Sequence, residues 1–196
     1  MSPYKEWLKK NYGWIALNLP ALLMLMILIY DPNLWKFLTP YTGYAALSLL
    51  ILVLSLNPLQ TLLPTSVFIK KINKHRRQTG VAVFSYAVIH FFCFFIKREY
   101  SLSETFYYFL HPAILPAAIA LFIFGILALT SNNYFVKQMG FIQWKKLHKT
   151  VYIAEGLVFM HMILLGNILY ACIAFVPLVG LQLIRKRKKS HKIPTR

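Results

Sequence analysis

The chain has 196 residues, 58% of them hydrophobic, and a formal net charge of +17. On a soluble domain that charge would point to nucleic acid. Here the apolar residues fall in long blocks with the basic residues gathered between them, which argues against a nucleic-acid partner and for a chain threaded through a bilayer. The two cysteines, Cys93 and Cys172, have no C-x-x-C spacing. They make neither a disulfide framework nor a zinc site and read as small packing residues.

Six apolar blocks, at about 13–30, 41–63, 79–96, 112–130, 148–166 and 168–184, reach the roughly 17–25 residues that a membrane-spanning helix needs. The expected fold is therefore all-α, an integral membrane six-helix bundle. The first block is too long for a signal-peptide core and is followed by Asp31-Pro32-Asn33, a turn, rather than by a small-residue cleavage site. It reads as a retained helix. Of the 22 lysines and arginines, all but Lys36, Lys97 and Arg98 fall on one side if the N-terminus is inside. That bias predicts both termini in the cytoplasm of a bacterial inner membrane. The expected organisation is a cytoplasmic N-terminus at 1–12, a transmembrane domain at 13–184 and a basic tail at 185–196. The "RKRKK" run suits contact with anionic membrane lipid.

Along the chain, Pro58 and Pro64 are expected to end or bend the second helix, and Pro177 to kink the sixth. Pro116 sits where a first helical turn tolerates proline. The 97–111 loop is aromatic-rich, as a membrane interface or a docking surface would be. Gly166-Asn167 predicts a tight hairpin between the last two spans. No G-x-G-x-x-G or G-x-x-x-x-G-K-[ST] motif is present, so any chemistry belongs in or beside the bilayer.

Six histidines carry most of the functional signal. His191, in the tail, and His75, in "KKINKHRRQTG", read as solvated, and His111 before Pro112 as interfacial. His90 and His161 lie inside spans, where an ionisable residue is costly and marks function by default. Counted from the inner ends of their helices, they stand roughly 16 and 20 Å up, at similar depth. Two neutral imidazoles from facing helices can ligate a haem iron from both sides. Phe91, Phe92, Phe94 and Phe95 flank one, and Phe159, Met160 and Met162 the other. His148 is 13 residues before His161, far enough along to serve a second haem. On a straight helix, however, the two rings point about 140° apart. An inner haem through His75 and His148, one on His148 alone, and a quinone site there all stay open. Glu155 is a candidate partner for a histidine or a proton carrier beside a quinone. Arg76 and Arg77 are candidates for holding haem propionates.

"HRRQTGVAVFSYAVIHFF" followed by "WKKLHKTVYIAEGLVFMH" resembles the MsrQ family, formerly YedZ. The matching residues are Arg76, Arg77, Gly80 and His90, then Trp144, Leu147, His148, Val151, Tyr152 and His161. MsrQ proteins are haem-binding membrane subunits of the bacterial periplasmic methionine sulfoxide reductase system, within the ferric-reductase-like group that includes NADPH oxidases. The resemblance implies haem b on His90 and His161, with His148 as a further haem ligand, and one or two haems in all. It implies electrons from quinol or a flavin reductase on the cytoplasmic side, passed to a periplasmic molybdopterin enzyme, MsrP, for protein repair. Flavin mononucleotide (FMN) is a further cofactor of that family. NADPH-oxidase-like relatives carry a second histidine on the third helix, where this chain has Arg76. Two rival readings accompany it: a ferric-reductase-like cytochrome serving another acceptor, and a haem-free proton path or scaffold through His90, Glu155 and His161.

Overall fold

The structure, a computed structural model, describes residues 3–190; His191 and the rest of 191–196 lie outside them. The described residues form ten α-helices and two short 3₁₀ turns. α1 (Pro3–Tyr30) stops at the expected turn, where the Asp31 carboxylate accepts the Asn33 N–H at 3.0 Å. α2 (Trp35–Leu62) continues through Pro40 and Pro58 and ends ahead of Pro64, so Pro58 does not terminate it. After α3 (Val67–Asn73) and α4 (Arg76–Lys97) come α5 (Leu102–Phe109) and α6 (Leu115–Leu129), the last with Pro116 in its first turn. α7 (Asn133–Met139) and α8 (Phe141–Leu147) lead through a 3₁₀ turn, His148–Thr150, into α9 (Val151–Leu164). α10 (Ile168–Ser190) passes Pro177 without a break and carries helix into the basic run.

Four of these helices lie in stretches the apolar blocks leave as loops. α3, α5 and α7 each start on a side-chain cap, Ser66, Ser101 and Asn132, which accepts the N–H three residues on. They are seven or eight residues long, too short to register as spans.

Among the described residues four segments are long and apolar enough to cross a membrane: Asn11–Tyr30, Pro32–Leu62, Arg76–Lys97 and Ile168–Lys188. A fifth exists if α6 and α7, bent 92° apart, are one span. The expected spans at 112–130 and 148–166 thus arrive as shorter α-helices of 15 and 14 residues. The helical backbone from Phe141 to Leu164 is nonetheless continuous through the 3₁₀ turn. The chain is a multi-pass membrane protein.

Contacts separate two ends. At the basic end Arg77 Nη1 donates to Asn133 Oδ1 at 2.8 Å, and Lys188 Nζ to the Leu62 carbonyl at 3.4 Å. The Asn73 amide there donates to Gln60. His75 lies so close to α1 that a Cβ on Gly13 would stand 2.5 Å from its Nδ1. At the far end the starts of α2, α6 and α10 meet the ends of α4 and α9. α4 is the central helix, packed on α1, α2 and α6. One apolar cluster, Leu50, Leu54, Val83, Phe124, Phe175 and Leu178 among others, fills the middle of the bundle. A second, including Leu28, Leu38, Ile89 and Cys93, joins α1, α2 and α4. Cys93 and Cys172 are both free thiols.

The α9–α10 hairpin depends on Gly166, whose φ of +81° is left-handed. Its N–H bonds back to Ile163 and that of Asn167 to Met162, both at 2.9 Å. A side chain there costs roughly 1–2 kcal/mol. Gly166→Ala is expected to lower the thermal midpoint in detergent by a few degrees. Gly180→Ala, in helical backbone with nothing within 4 Å of the added carbon, is expected to hold or raise it.

Candidate functional site: two anchored imidazoles on one apolar cavity

His90 and His161 line the same cavity, about 390 Å³, formed between α2, α4, α5, α6, α9 and α10 at the far end of the bundle. That volume is within the range of pockets that hold small organic ligands. Its walls are apolar, with Leu47, Val83, Phe91, Phe94, Leu121 and Phe124 prominent. Of the flanking residues expected from sequence, Phe91, Phe94 and Met162 face the cavity. Phe92 and Met160 are turned outward, and Phe159 packs on Phe175 instead.

Each ring is fixed by its Nδ1. His90 Nδ1–H donates to the Thr39 carbonyl at 2.9 Å, and His161 Nδ1–H to the Ala113 carbonyl at 2.6 Å. A neutral imidazole with its proton on Nδ1 leaves Nε2 as the free lone pair. Metal-ligating histidines commonly give their second N–H to a backbone carbonyl in this way, which sets the tautomer and the ring orientation. The carbonyls are available for local reasons. Ala113 belongs to the 111–114 turn ahead of α6, whereas Thr39 lies inside α2 and its carbonyl, which also accepts the Thr42 hydroxyl at 3.1 Å, uses its second lone pair for the ring. Thr42, fully buried, returns its own hydroxyl to Leu38 at 2.8 Å and stands 3.5 Å from His90 Nδ1.

Gly43 was missed from sequence. A Cβ there would meet His90 Cε1 at 3.1 Å and Nδ1 at 3.2 Å, so the glycine lets the ring lie against the α2 backbone. Nothing in its local sequence distinguishes it; only the α2–α4 packing does.

The other candidates are not at this cavity. His148 packs its ring on Trp144, centroids 4.1 Å apart, and its Nε2 lies 3.1 Å from the Thr130 hydroxyl. That hydroxyl donates to the Ile126 carbonyl at 2.7 Å, so Nε2–H is the donor to it. Trp144 Nε1–H reaches the Thr130 carbonyl at 2.9 Å, closing a small polar cluster at the basic end. Glu155 is buried and accepts both its bonds, 2.9 and 3.1 Å, from the Gln182 amide on α10 rather than from a histidine. His75 is exposed and paired with Gln78 at 3.0 Å. Arg76 and Arg77 open α4 at the basic end, with Arg77 held by Asn133. His111 caps its own turn, accepting the Ala113 N–H at 3.2 Å. Among the described residues no cluster of three or more His, Cys, Asp or Glu stands ready for a metal ion; a haem iron needs only two protein ligands.

Fold and site together define a membrane protein built around a paired-histidine apolar cavity. Residues 42–160 match the family described as ferric reductase like transmembrane component, and the chain belongs to that family. The magnetosome protein MamZ of Magnetospirillum gryphiswaldense is 34% identical over 134 residues, covering 67% of this chain and 20% of that protein. MamZ of Paramagnetospirillum magneticum matches to the same extent. The chain thus spans about a fifth of the length of these curated relatives. No solved structure matches it.

The anchoring bonds carry a direct expectation. In haem-free protein labelled with ¹⁵N-histidine, His90 and His161 should show the Nδ1–H tautomer and His148 the Nε2–H tautomer. Gly43→Ala should disturb only the His90 signals. An Nε2–H signature at His90 would contradict the geometry.

Proposed function

We propose that this chain is a haem b membrane protein of the MsrQ type. It would carry electrons from a cytoplasmic-side donor, quinol or a flavin reductase, to a periplasmic molybdopterin-containing methionine sulfoxide reductase. The observation that carries the reading is the pair of Nδ1-anchored imidazoles on one apolar cavity. Membership of the ferric-reductase-like family supports a membrane electron-transfer role.

His90 and His161 would hold the iron through Nε2. Bound haem supplies a one-electron ferric–ferrous couple, tuned by its axial ligands and surroundings. The protein's own work is to orient two imidazoles and exclude water. Thr39 and Ala113 hold the rings, Gly43 makes room for one of them, and the phenylalanine and leucine walls keep the site dry. The basic end faces the cytoplasm in this reading, with six spans counted by taking Leu115–Leu129 and the Phe141–Leu164 run as one each. The domain would then run over 13–184 in the bacterial inner membrane. His148, with Arg76, Arg77, His75 and Glu155 at or below mid-bundle, is the place for a donor-side quinone or a second haem.

A second reading, electron delivery to a different acceptor such as a metal, follows from the family match itself and from the magnetosome setting of the MamZ relatives. The proton-path reading is less well supported, since Glu155 is tied to Gln182 and does not line the cavity with His90 and His161.

The deciding measurement is the absorption spectrum of detergent-purified protein, oxidised and dithionite-reduced. Wild type should show reducible b-type bands. His90→Ala and His161→Ala should each weaken haem binding at least about tenfold, a loss of the size seen even for outer-shell partners. His148→Ala should leave the bands of the cavity haem in place. Flavin released on denaturation would reveal FMN. Reoxidation by the sulfoxide reductase with methionine sulfoxide, set against reoxidation by a ferric chelate, separates the two acceptors. A colourless protein after haem supplementation sinks the electron-transfer reading.

A further inference from the structure

Arg98 ends α4 at the far end of the bundle, eight residues beyond His90. Its guanidinium carbon lies 3.4 Å from the centroid of the Tyr108 ring and 5.5 Å from that of Phe94. Phe94 and Tyr108 meet edge to face at 6.4 Å, and Phe94 is also a wall of the cavity. A cation therefore stands behind the Phe94 wall of the chamber without itself lining it.

Two further observations concern that cation. Its Nε is buried and has no hydrogen-bond partner among the described residues. Buried guanidinium N–H groups are rarely left unpaired, because the desolvation is then uncompensated. The corner that holds Arg98 is also strained. Glu99 and Tyr100 follow it with φ of +53° and +60°, left-handed values at two consecutive non-glycine residues. Such backbone persists where the surroundings over-determine it. Here the N–H groups of Glu99 and Tyr100 bond back to Ile96 and Phe95, and the Tyr100 ring packs edge-on against Phe95. Lys97, the neighbouring cation, is turned away, sharing the face of Trp35 with Lys36.

We propose that Arg98 is the carboxylate anchor of the cavity, binding a propionate of the haem held by His90 and His161. The inference rests on the haem reading above. A propionate is a carboxylate, and a planar guanidinium is its best side-chain complement. Arg76 and Arg77, the candidates for this role by sequence, are at the opposite end of α4, and Arg77 is already occupied by Asn133. Tyr108 and Phe94 fix the orientation of the half-buried Arg98 fork by stacking, which favours a directed charge-assisted bond.

The test uses haem-free full-length protein in detergent, titrated with hemin and with hemin dimethyl ester, whose propionates are capped. The Soret band is the readout. Wild type should bind hemin about tenfold or more tightly than the ester. Arg98→Gln should bind both with the affinity of the ester, and Arg98→Lys should keep a reduced preference. An unchanged preference in Arg98→Gln overturns the proposal. Loss of ester binding in both variants also overturns it, because Arg98 would then be a packing residue. If neither compound gives a His90-dependent band with wild type, the haem reading itself has failed, a result the variants cannot mimic.

Discussion

Two hydrogen bonds organise the far half of this molecule. An imidazole in an apolar bundle is tolerated only if its N–H finds an acceptor, since water is not there to supply one. His90 and His161 each solve this with a backbone carbonyl on a neighbouring helical segment. Each bond therefore pins a pair of segments as well as a ring: α4 to the start of α2, and α9 to the turn ahead of α6. The net worth of one such bond is about 1 kcal/mol, while leaving the buried donor unmet costs as much or more. The geometry is held by that asymmetry.

The gross plan was legible in the sequence because hydrophobic length is a one-dimensional signal. α1, α2, α4 and α10 sit where the long apolar blocks are, and the Gly166 hairpin where a glycine-asparagine pair interrupts them. His90 and His161 stood out because a titratable ring is rare in such a block. What accompanies them was not legible. A carbonyl acceptor has no residue identity, so Thr39 and Ala113 leave no trace in composition. Gly43 matters through a neighbour 47 positions away. Gln182 becomes the partner of Glu155 only when α9 and α10 pack together. The 140° offset between the His148 and His161 rings holds only for a straight helix, and His148 stands in a 3₁₀ turn, whose tighter winding changes the azimuth of everything beyond it.

The basic residues do more than mark a membrane side. Charge-bias reasoning treats them as solvated and interchangeable, and for the topology of the chain that suffices. In the fold, some of them also stitch helices together: Arg77 joins α4 to α7, and Lys188 reaches the end of α2. With His75 seated over Gly13, these contacts close the basic end as the imidazole anchors close the other.

Between the two ends lies the cluster of Leu50, Leu54, Val83, Phe124, Phe175 and Leu178. It forms the floor of the cavity and separates it from the Trp144–Thr130–His148 group. Side chains of this kind offer no lone pair and no exchangeable hydrogen. Two polar pairs near that level, Glu155 with Gln182 and Ser85 with Asn18, each bond side chain to side chain. The floor is thus an apolar partition between the cavity with its two imidazoles and the polar group at the basic end.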